Sequence, residues 1–183
     1  LVADPLGALL AAPLVLMLGP VLAYNLTAWL HAAAAGLAAH ALARRLGGRG
    51  WLAGAAFACS PLLLAHLNTG SSEAFALCWL PLAGLALVQA LQRPGLAWRA
   101  LAGLALALAT IASWYTGLAA WLMAACLLGV GLGDGVPLAA RLRRGLSALI
   151  LAGLLCAPFA AFTLDLAQAS DGLVQIKASD ELH

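Results

Sequence analysis

Residues 97–132 read AWRALAGLALALATIASWYTGLAAWLMAACLLGVGL, an apolar run with a polar and aromatic cluster, SWYTG at 113–117, near its middle. A helix needs about 20 mostly apolar residues to cross a bilayer, so this run is too long for one crossing. We therefore expect the chain to break at the cluster and to form two helices, at 97–113 and 117–132.

The rest of the chain has the same apolar character. Of its 183 residues, 64% are hydrophobic and 9% are charged, and the mean hydropathy is +1.01. Soluble domains average about 45–50% apolar and about 25% charged residues, and disordered chains are poor in apolar residues, so both classes are excluded. A net charge of +2 without a dense basic patch also excludes nucleic acid as a partner. The sequence predicts an integral membrane protein, with the lipid bilayer as its first partner.

The same length criterion divides the remainder of the chain into further spans. We expect an all-α polytopic bundle of about six transmembrane helices, at residues 20–42, 51–67, 74–91, 97–113, 117–132 and 146–164. Residues 1–19 contain Pro13 and are too short in apolar sequence to cross, so they predict a short interfacial or re-entrant helix. Residues 165–183 are predicted to form a polar extracytoplasmic tail.

The placement of charges supports six crossings. If the chain crosses the membrane at these six spans, eight of the nine basic residues lie on one side of the membrane and six of the seven acidic residues lie on the other. The eight are Arg44, Arg45, Arg49, Arg93, Arg99, Arg141, Arg143 and Arg144. Short loops rich in arginine stay in the cytoplasm, so both ends of this chain are expected on the extracytoplasmic side.

Small residues at four-residue spacing predict close helix packing. Gly50 and Gly54 form one such pair, and Ala32 and Gly36 form another. A bias of composition toward alanine and glycine would produce the same spacing by chance, so both interpretations stay open.

Polar residues gather where the second span ends and the third begins. His66, Asn68, Ser71, Ser72 and Glu73 lie within eight residues. In one interpretation, Ser71 or Ser72 caps the third span and Glu73 complements its helix dipole. In the other, His66, Asn68 and Glu73 line an outward-facing cavity and bind a polar substrate.

Four more residues are candidates for the same cavity. Tyr24 and Asn25 lie near the outer end of the first span, and Trp114 and Tyr115 are expected to form the opposite wall. Trp114 also fits the aromatic belt that anchors helix ends at a membrane surface. Pro61 is expected to kink the second span and to free backbone carbonyls near this level.

The sequence contains no pattern of metal ligands. The four cysteines are isolated from one another, with no CxxC spacing. His31 and His40 are nine residues apart on one predicted helix, so they face opposite sides and cannot share a metal. We expect His31 to bond a neighbouring helix and His40 to lie at the inner interface. The cofactor is unknown, and a divalent metal in the full-length protein is left open with no ligands identified in this chain.

Six short motifs follow one another between residues 19 and 117, within a region of about residues 10–165. They are GPVLAYNL at 19–26, ALARRL at 41–46, AAFACSP at 55–61, AHLN at 65–68, WLPL at 79–82 and SWYTG at 113–117. In this order they resemble bacterial membrane glycosyltransferases of the GT-C class. The resemblance implies a membrane-embedded module of the bacterial inner membrane. Such a module transfers a sugar from a polyprenyl-phosphate donor, its lipid-linked partner, to an acceptor on the extracytoplasmic face.

The catalytic residues of that class are expected outside this chain. The acidic catalytic residue usually lies in the first large outer loop, so we expect it upstream of Leu1 and give Asp4 no catalytic role. The chain is expected to be inactive by itself. The alternative is a fragment of a transporter or permease, in which Pro61 and Pro158 would mark broken helices.

Overall fold

The computed structural model describes residues 5–69, 73–129 and 135–180, and in these residues every regular element is a helix. In chain order they are α1 (Pro5–Leu18), α2 (Pro20–Arg45), α3 (Gly50–Ala58), α4 (Pro61–Thr69), α5 (Glu73–Ala76), α6 (Trp79–Gln92), α7 (Leu96–Ala112), α8 (Trp114–Gly129) and α9 (Leu138–Asp180). The all-α class is confirmed. The predicted caps Ser71 and Ser72 lie outside the described residues.

Four stretches of the described chain are long and apolar enough to cross a membrane. They are Pro20–Arg45, Gly50–Thr69, Ala74–Gln92 and Leu138–Asp165. α7 and α8 have 17 and 16 residues, and at 1.5 Å per residue each spans about 25 Å, against about 30 Å of hydrocarbon. The chain therefore has the helices of an integral membrane protein.

The long apolar run breaks where the sequence predicts. α7 ends before Ser113, which is extended (φ −159°, ψ 133°), and α8 follows at once. α8 folds back on α7, since a Cβ on Gly117 would lie 2.7 Å from the Thr110 Cα. The Trp121 indole donates a hydrogen bond to the Thr110 hydroxyl at 3.1 Å. The described part of this run, residues 97–129, thus forms two packed helices.

α6 and α7 form the centre of the bundle. α6 packs against α2, α7, α8 and α9, and α7 also packs against α1 and α5. The core that they form with α8 and α9 is made of alanine and leucine: Ala83, Ala86, Leu87, Ala90, Leu91, Ala102, Ala105, Leu106, Ala109, Ala120, Ala124, Ala148 and Ala152. Such small side chains let helix backbones approach closely, which drives association in lipid. At Gly103 a Cβ would lie only 2.9 Å from the carbonyl oxygen of Ala148 on α9.

The second predicted span consists of two helices instead of one kinked helix. α3 ends at Ala58 and α4 starts at Pro61, with Ser60 before it. The Leu63 N–H donates a hydrogen bond to the Ser60 hydroxyl at 3.3 Å. A serine cap followed by proline at the first helical position is a favourable helix start. Because proline has no N–H to continue the preceding ladder, the chain starts a new capped helix at this point.

Proline does not break the last helix. α9 runs from Leu138 to Asp180 and contains Pro158 inside it. It begins earlier than the predicted sixth span, and its backbone stays helical into the predicted tail. α1 likewise contains Pro13, and it packs against α2 and α7.

The arginines of α6, α7 and α9 share one end of the bundle. An Arg144 guanidinium nitrogen donates to the carbonyl oxygens of Leu91 at 2.9 Å and Gln92 at 3.3 Å. This contact holds the start of α9 against the end of α6, beside the turn that carries Arg93 and Arg99. A guanidinium at a helix C-terminus satisfies carbonyls that have no partner within the helix.

Candidate functional site

A groove of about 540 Å³ lies between α2 and the break that separates α3 from α4. We call it the outer groove. Its walls include Tyr24, Asn25 and Trp29 on α2, Ala58 at the end of α3, and Leu64 and Leu67 on α4. Apart from Tyr24 and Asn25, the walls are almost wholly apolar, so the outer groove is suited to a lipid chain with a polar group at one end.

Glycine contacts explain where this groove opens. A Cβ on Gly54 would lie 2.7 Å from the Gly36 carbonyl oxygen, and a Cβ on Gly36 would lie 3.0 Å from the Ala58 Cβ. α3 is therefore held tightly on α2, and close packing is confirmed at Gly36, Gly50 and Gly54, while Ala32 lines both grooves. Beyond the break, α4 packs on α5, so the chain leaves α2 and the groove opens.

One face of α2 carries three polar side chains next to α5. The Tyr24 ring meets the Phe75 ring edge-on, with centroids 5.4 Å apart. The Tyr24 hydroxyl and the Thr27 hydroxyl are buried and have no hydrogen-bond partner among the described residues. Buried hydroxyls usually have a partner, so these two distinguish this face of α2 from the rest of the helix.

His31 completes this face one turn further along α2. It lies against the Phe75 ring at 5.2 Å between centroids, so it faces protein, as predicted. Its Nδ1–H donates to the Thr27 carbonyl oxygen at 2.8 Å. The expected hydrogen bond to a neighbouring helix is thus replaced by one within α2.

α4 and α5 carry three of the predicted site residues. His66 is half-buried and Asn68 is exposed, and both lie on α4 next to the groove residue Leu67. Glu73 is the first residue of α5, and its side chain lies outside the described part of the structure. The groove thus brings Tyr24 and Asn25 beside the helix that carries His66 and Asn68.

Trp114 and Tyr115 lie elsewhere. The Trp114 ring stacks on Phe159 of α9, with centroids 6.0 Å apart and planes 28° apart. Tyr115 is 79% exposed. α8 packs against α6, α7 and α9, and neither residue lines the outer groove. Phe75, which organises Tyr24 and His31, was missed from the sequence because an isolated phenylalanine in an apolar run gives no signal.

A second, smaller cleft of about 220 Å³ lies between α6 and α7. Trp79, Trp98 and the half-buried Gln89 line it together with leucines and alanines. The Gln89 side-chain oxygen is buried without a hydrogen-bond partner in the described chain. No three histidine, cysteine, aspartate or glutamate side chains come together among the residues that the structure describes.

Three of the six motifs border the outer groove. Residues 19–26 begin α2, residues 55–61 contain the break, and residues 65–68 lie on α4. Comparison of the chain with family models, with curated proteins and with solved structures finds no match. The case for a function therefore depends on the geometry of this groove and on the resemblance of the motifs.

Proposed function

We propose that the chain is the membrane module of a GT-C-type glycosyltransferase. In this proposal it holds a polyprenyl-phosphate sugar donor from which a sugar passes to an acceptor at the extracytoplasmic face of the bacterial inner membrane. The observation that carries the proposal is the outer groove, with the Tyr24 hydroxyl buried beside it. A groove of this kind combines lipid-like walls with a few polar groups that can orient a head group.

The chemistry of the groove matches the two parts of such a donor. Trp29, Leu64 and Leu67 offer apolar contact area for an isoprenoid chain. Tyr24 can donate and accept hydrogen bonds, and the Asn25 amide can do the same, as sugar hydroxyls and phosphate oxygens require. Trp29 is 77% exposed, so the groove opens sideways toward lipid, from which a lipid-linked donor would enter.

The proposed topology places the groove on the correct side. We propose six crossings, by α2, by α3 with α4, by α5 with α6, and by α7, α8 and α9, with α1 at the interface. The arginine-rich ends of α6 and α9, joined through Arg144, would then be cytoplasmic. The outer groove lies beside α2 and α4, at the ends of these helices that are far from the arginines. In this topology the outer groove would face the extracytoplasmic side.

The catalytic base of such a transfer is not assigned to a residue of this chain. Transfer to an acceptor hydroxyl needs a base within hydrogen-bond reach of that hydroxyl, and a carboxylate is the usual choice. The role proposed for this chain is therefore to bind and orient the donor. His66 and Asn68 would approach the sugar from α4, and Glu73 is proposed to bind it as well. Trp114 and Tyr115 would supply a further wall only if the donor extends across the bundle.

Sugar transfer by the full-length protein in proteoliposomes tests this proposal. We expect Tyr24→Phe, which removes one hydroxyl and no ring, to lower kcat/KM about tenfold, as loss of a hydrogen bond to a charged or buried group does. Tyr115→Phe is the variant for comparison, because Tyr24 and Tyr115 are the only two tyrosines in the sequence. A comparable loss at Tyr115 would extend the site to the wall predicted from the sequence. If the three single variants Tyr24→Phe, Asn25→Ala and His66→Ala all transferred sugar at the normal rate, the outer groove would not be the donor site.

Transport is the second candidate, and the break between α3 and α4 favours it. Transporters often bind substrate where a membrane helix is interrupted. The other expected interruption, at Pro158, is absent because α9 continues through it. Uptake of labelled sugar into proteoliposomes without transfer to an acceptor would select this function over glycosyl transfer.

A further inference from the structure

A basic cleft of about 440 Å³ lies beside the C-terminal turns of α2, away from the outer groove. It is lined by His40, Ala41, Arg44 and Arg45, and both arginines are exposed. The only carboxylate with a described side chain is that of Asp165, which lies on α9. Within the described side chains, these two guanidinium groups have no acidic partner.

An apolar groove of about 480 Å³ runs from this cleft along the contact between α2 and α3. We call it the inner groove. His40 borders both it and the basic cleft, while Gly36, Leu37, Trp51 and Ala55 form its apolar sides. Trp51 is 67% exposed, which is typical of an aromatic side chain at the level of lipid head groups.

The cleft and the two grooves form one continuous channel on the surface of α2. The inner and outer grooves share Ala32, Ala33 and Ala58 as lining residues. From Tyr24 to Arg45 this channel follows α2 for about 30 Å at 1.5 Å per residue, which is about the thickness of the hydrocarbon layer. This surface would match a ligand that has a charged head group and a long apolar tail, and a membrane lipid has both.

We propose that this surface binds an anionic phospholipid at the arginine-rich end of the bundle. Its phosphodiester would lie between Arg44 and Arg45, since a guanidinium presents paired N–H donors to phosphate oxygens. One acyl chain would lie in the inner groove, against Trp51 and Leu37. This site adjoins the proposed donor site at Ala32, Ala33 and Ala58, and its occupancy does not require sugar transfer.

Charge complementarity selects an anionic lipid over a neutral one. Each arginine near a membrane surface contributes about a factor of five to the binding of an acidic lipid, so two contribute roughly thirty-fold. The apolar inner groove favours a lipid over free phosphate, because inorganic phosphate has no apolar part that could bind in the groove.

Lipid retention by the purified full-length protein tests the proposal. Native mass spectrometry would count the lipids that survive release from nanodiscs of phosphatidylglycerol or phosphatidylcholine. We expect one phosphatidylglycerol retained about thirty-fold more strongly than phosphatidylcholine. Arg44→Gln with Arg45→Gln should abolish this preference.

Two further variants separate the proposed site from general charge attraction. Arg93→Gln with Arg143→Gln removes the same number of exposed charges from arginine-bearing turns outside the cleft, and should keep the preference. Ala55→Phe fills the inner groove at an exposed alanine that does not line the outer groove, and should weaken lipid retention, while any binding of inorganic phosphate would stay unchanged.

The proposal is overturned if both arginine pairs reduce retention equally, because the attraction would then be diffuse. It is also overturned if phosphatidylcholine is retained as strongly as phosphatidylglycerol, or if phosphate alone competes fully with the lipid. All four substituted arginines are exposed, and unchanged thermal unfolding of the variants would show that the fold is retained.

Discussion

The centre of the bundle and its α2–α3–α4 side differ in burial far more than in hydropathy. In Ala74–Gln92, the most apolar 18-residue window has a mean hydropathy of 1.9 and is 67% buried. The corresponding window of Gly50–Thr69 has a mean hydropathy of 1.4 and is 17% buried. The window of Leu138–Asp165 has the highest mean hydropathy, 2.1, and is also 17% buried. Hydropathy therefore indicates which helices enter the membrane, and it does not indicate which of them form the core.

The reason is that lipid tails are as apolar as leucine side chains. Moving a leucine from lipid into the protein gains no hydrophobic energy, so packing between small residues decides which faces meet. The core positions of α6 and α7 are mainly alanine, with Leu87, Leu91 and Leu106 filling the remaining space. Leucines and tryptophans elsewhere, such as Trp51 and Leu154, remain exposed.

The largest effect is expected from overpacking the centre. Gly103→Leu would force a side chain against the Ala148 carbonyl and against Leu151, and should lower the free energy of unfolding by about 3 kcal/mol. Gly153→Leu is the matched control, since nothing lies within 4 Å of a Cβ at Gly153. Denaturation in detergent measures both. Equal losses in the two variants would mean that α7 and α9 do not pack as described.

A smaller loss is expected on the α2–α3 side. Gly54→Leu would meet the Gly36 carbonyl oxygen and the His40 Cβ, but α3 has lipid on its other side and can move outward. We expect a loss of about 2 kcal/mol, against less than about 0.5 kcal/mol for the exposed neighbour Ala55→Leu. A loss larger than that of the Gly103 variant would reverse the ranking of the two regions.

The smallest effect is expected at a polar contact within the centre. Thr110→Val removes the hydroxyl that donates to the Leu106 carbonyl and accepts from the Trp121 indole. Interhelical hydrogen bonds in membranes contribute about 0.6 kcal/mol, so we expect a loss of that size. Thr163→Val is the control, because among the described residues that hydroxyl bonds only to carbonyls of its own helix, at Phe159 and Ala160. Coupling between Thr110→Val and Trp121→Phe in a double-mutant cycle measures the contact; zero coupling would show that it contributes nothing.

The three prolines show what sequence reasoning could and could not reach. Pro61 was expected to kink a helix, and the structure instead starts a new helix there with Ser60 as its cap. The preceding serine was the signal that distinguishes the two outcomes. Pro13 and Pro158 lack such a cap, and their helices continue. A proline alone therefore does not predict a break in a membrane helix, where neighbouring groups can satisfy the freed carbonyls.

The candidate site could be predicted from the sequence only in part. Tyr24, Asn25, His66 and Asn68 were recognised as polar residues near helix ends, and the structure places the first two in a groove beside the helix of the others. Trp114 was expected nearby, but it stacks on Phe159. Residues on different helices come together through packing angles, and these depend on small-residue contacts that composition alone does not order.

The amino-acid sequence by itself determines that this chain belongs in a membrane, that it is helical, and that the run 97–132 divides within the cluster at residues 113–117. These follow from local properties, namely apolar length, polar interruptions and backbone preference. Tertiary structure decides that α6 and α7 are central, that Arg144 reaches the end of α6, and that α4 separates from α2 to open the groove. Those outcomes depend on which helix faces of small residues pack closely against each other. Lipid solvates every apolar helix face about equally well, so only the packing between helices distinguishes one face from another.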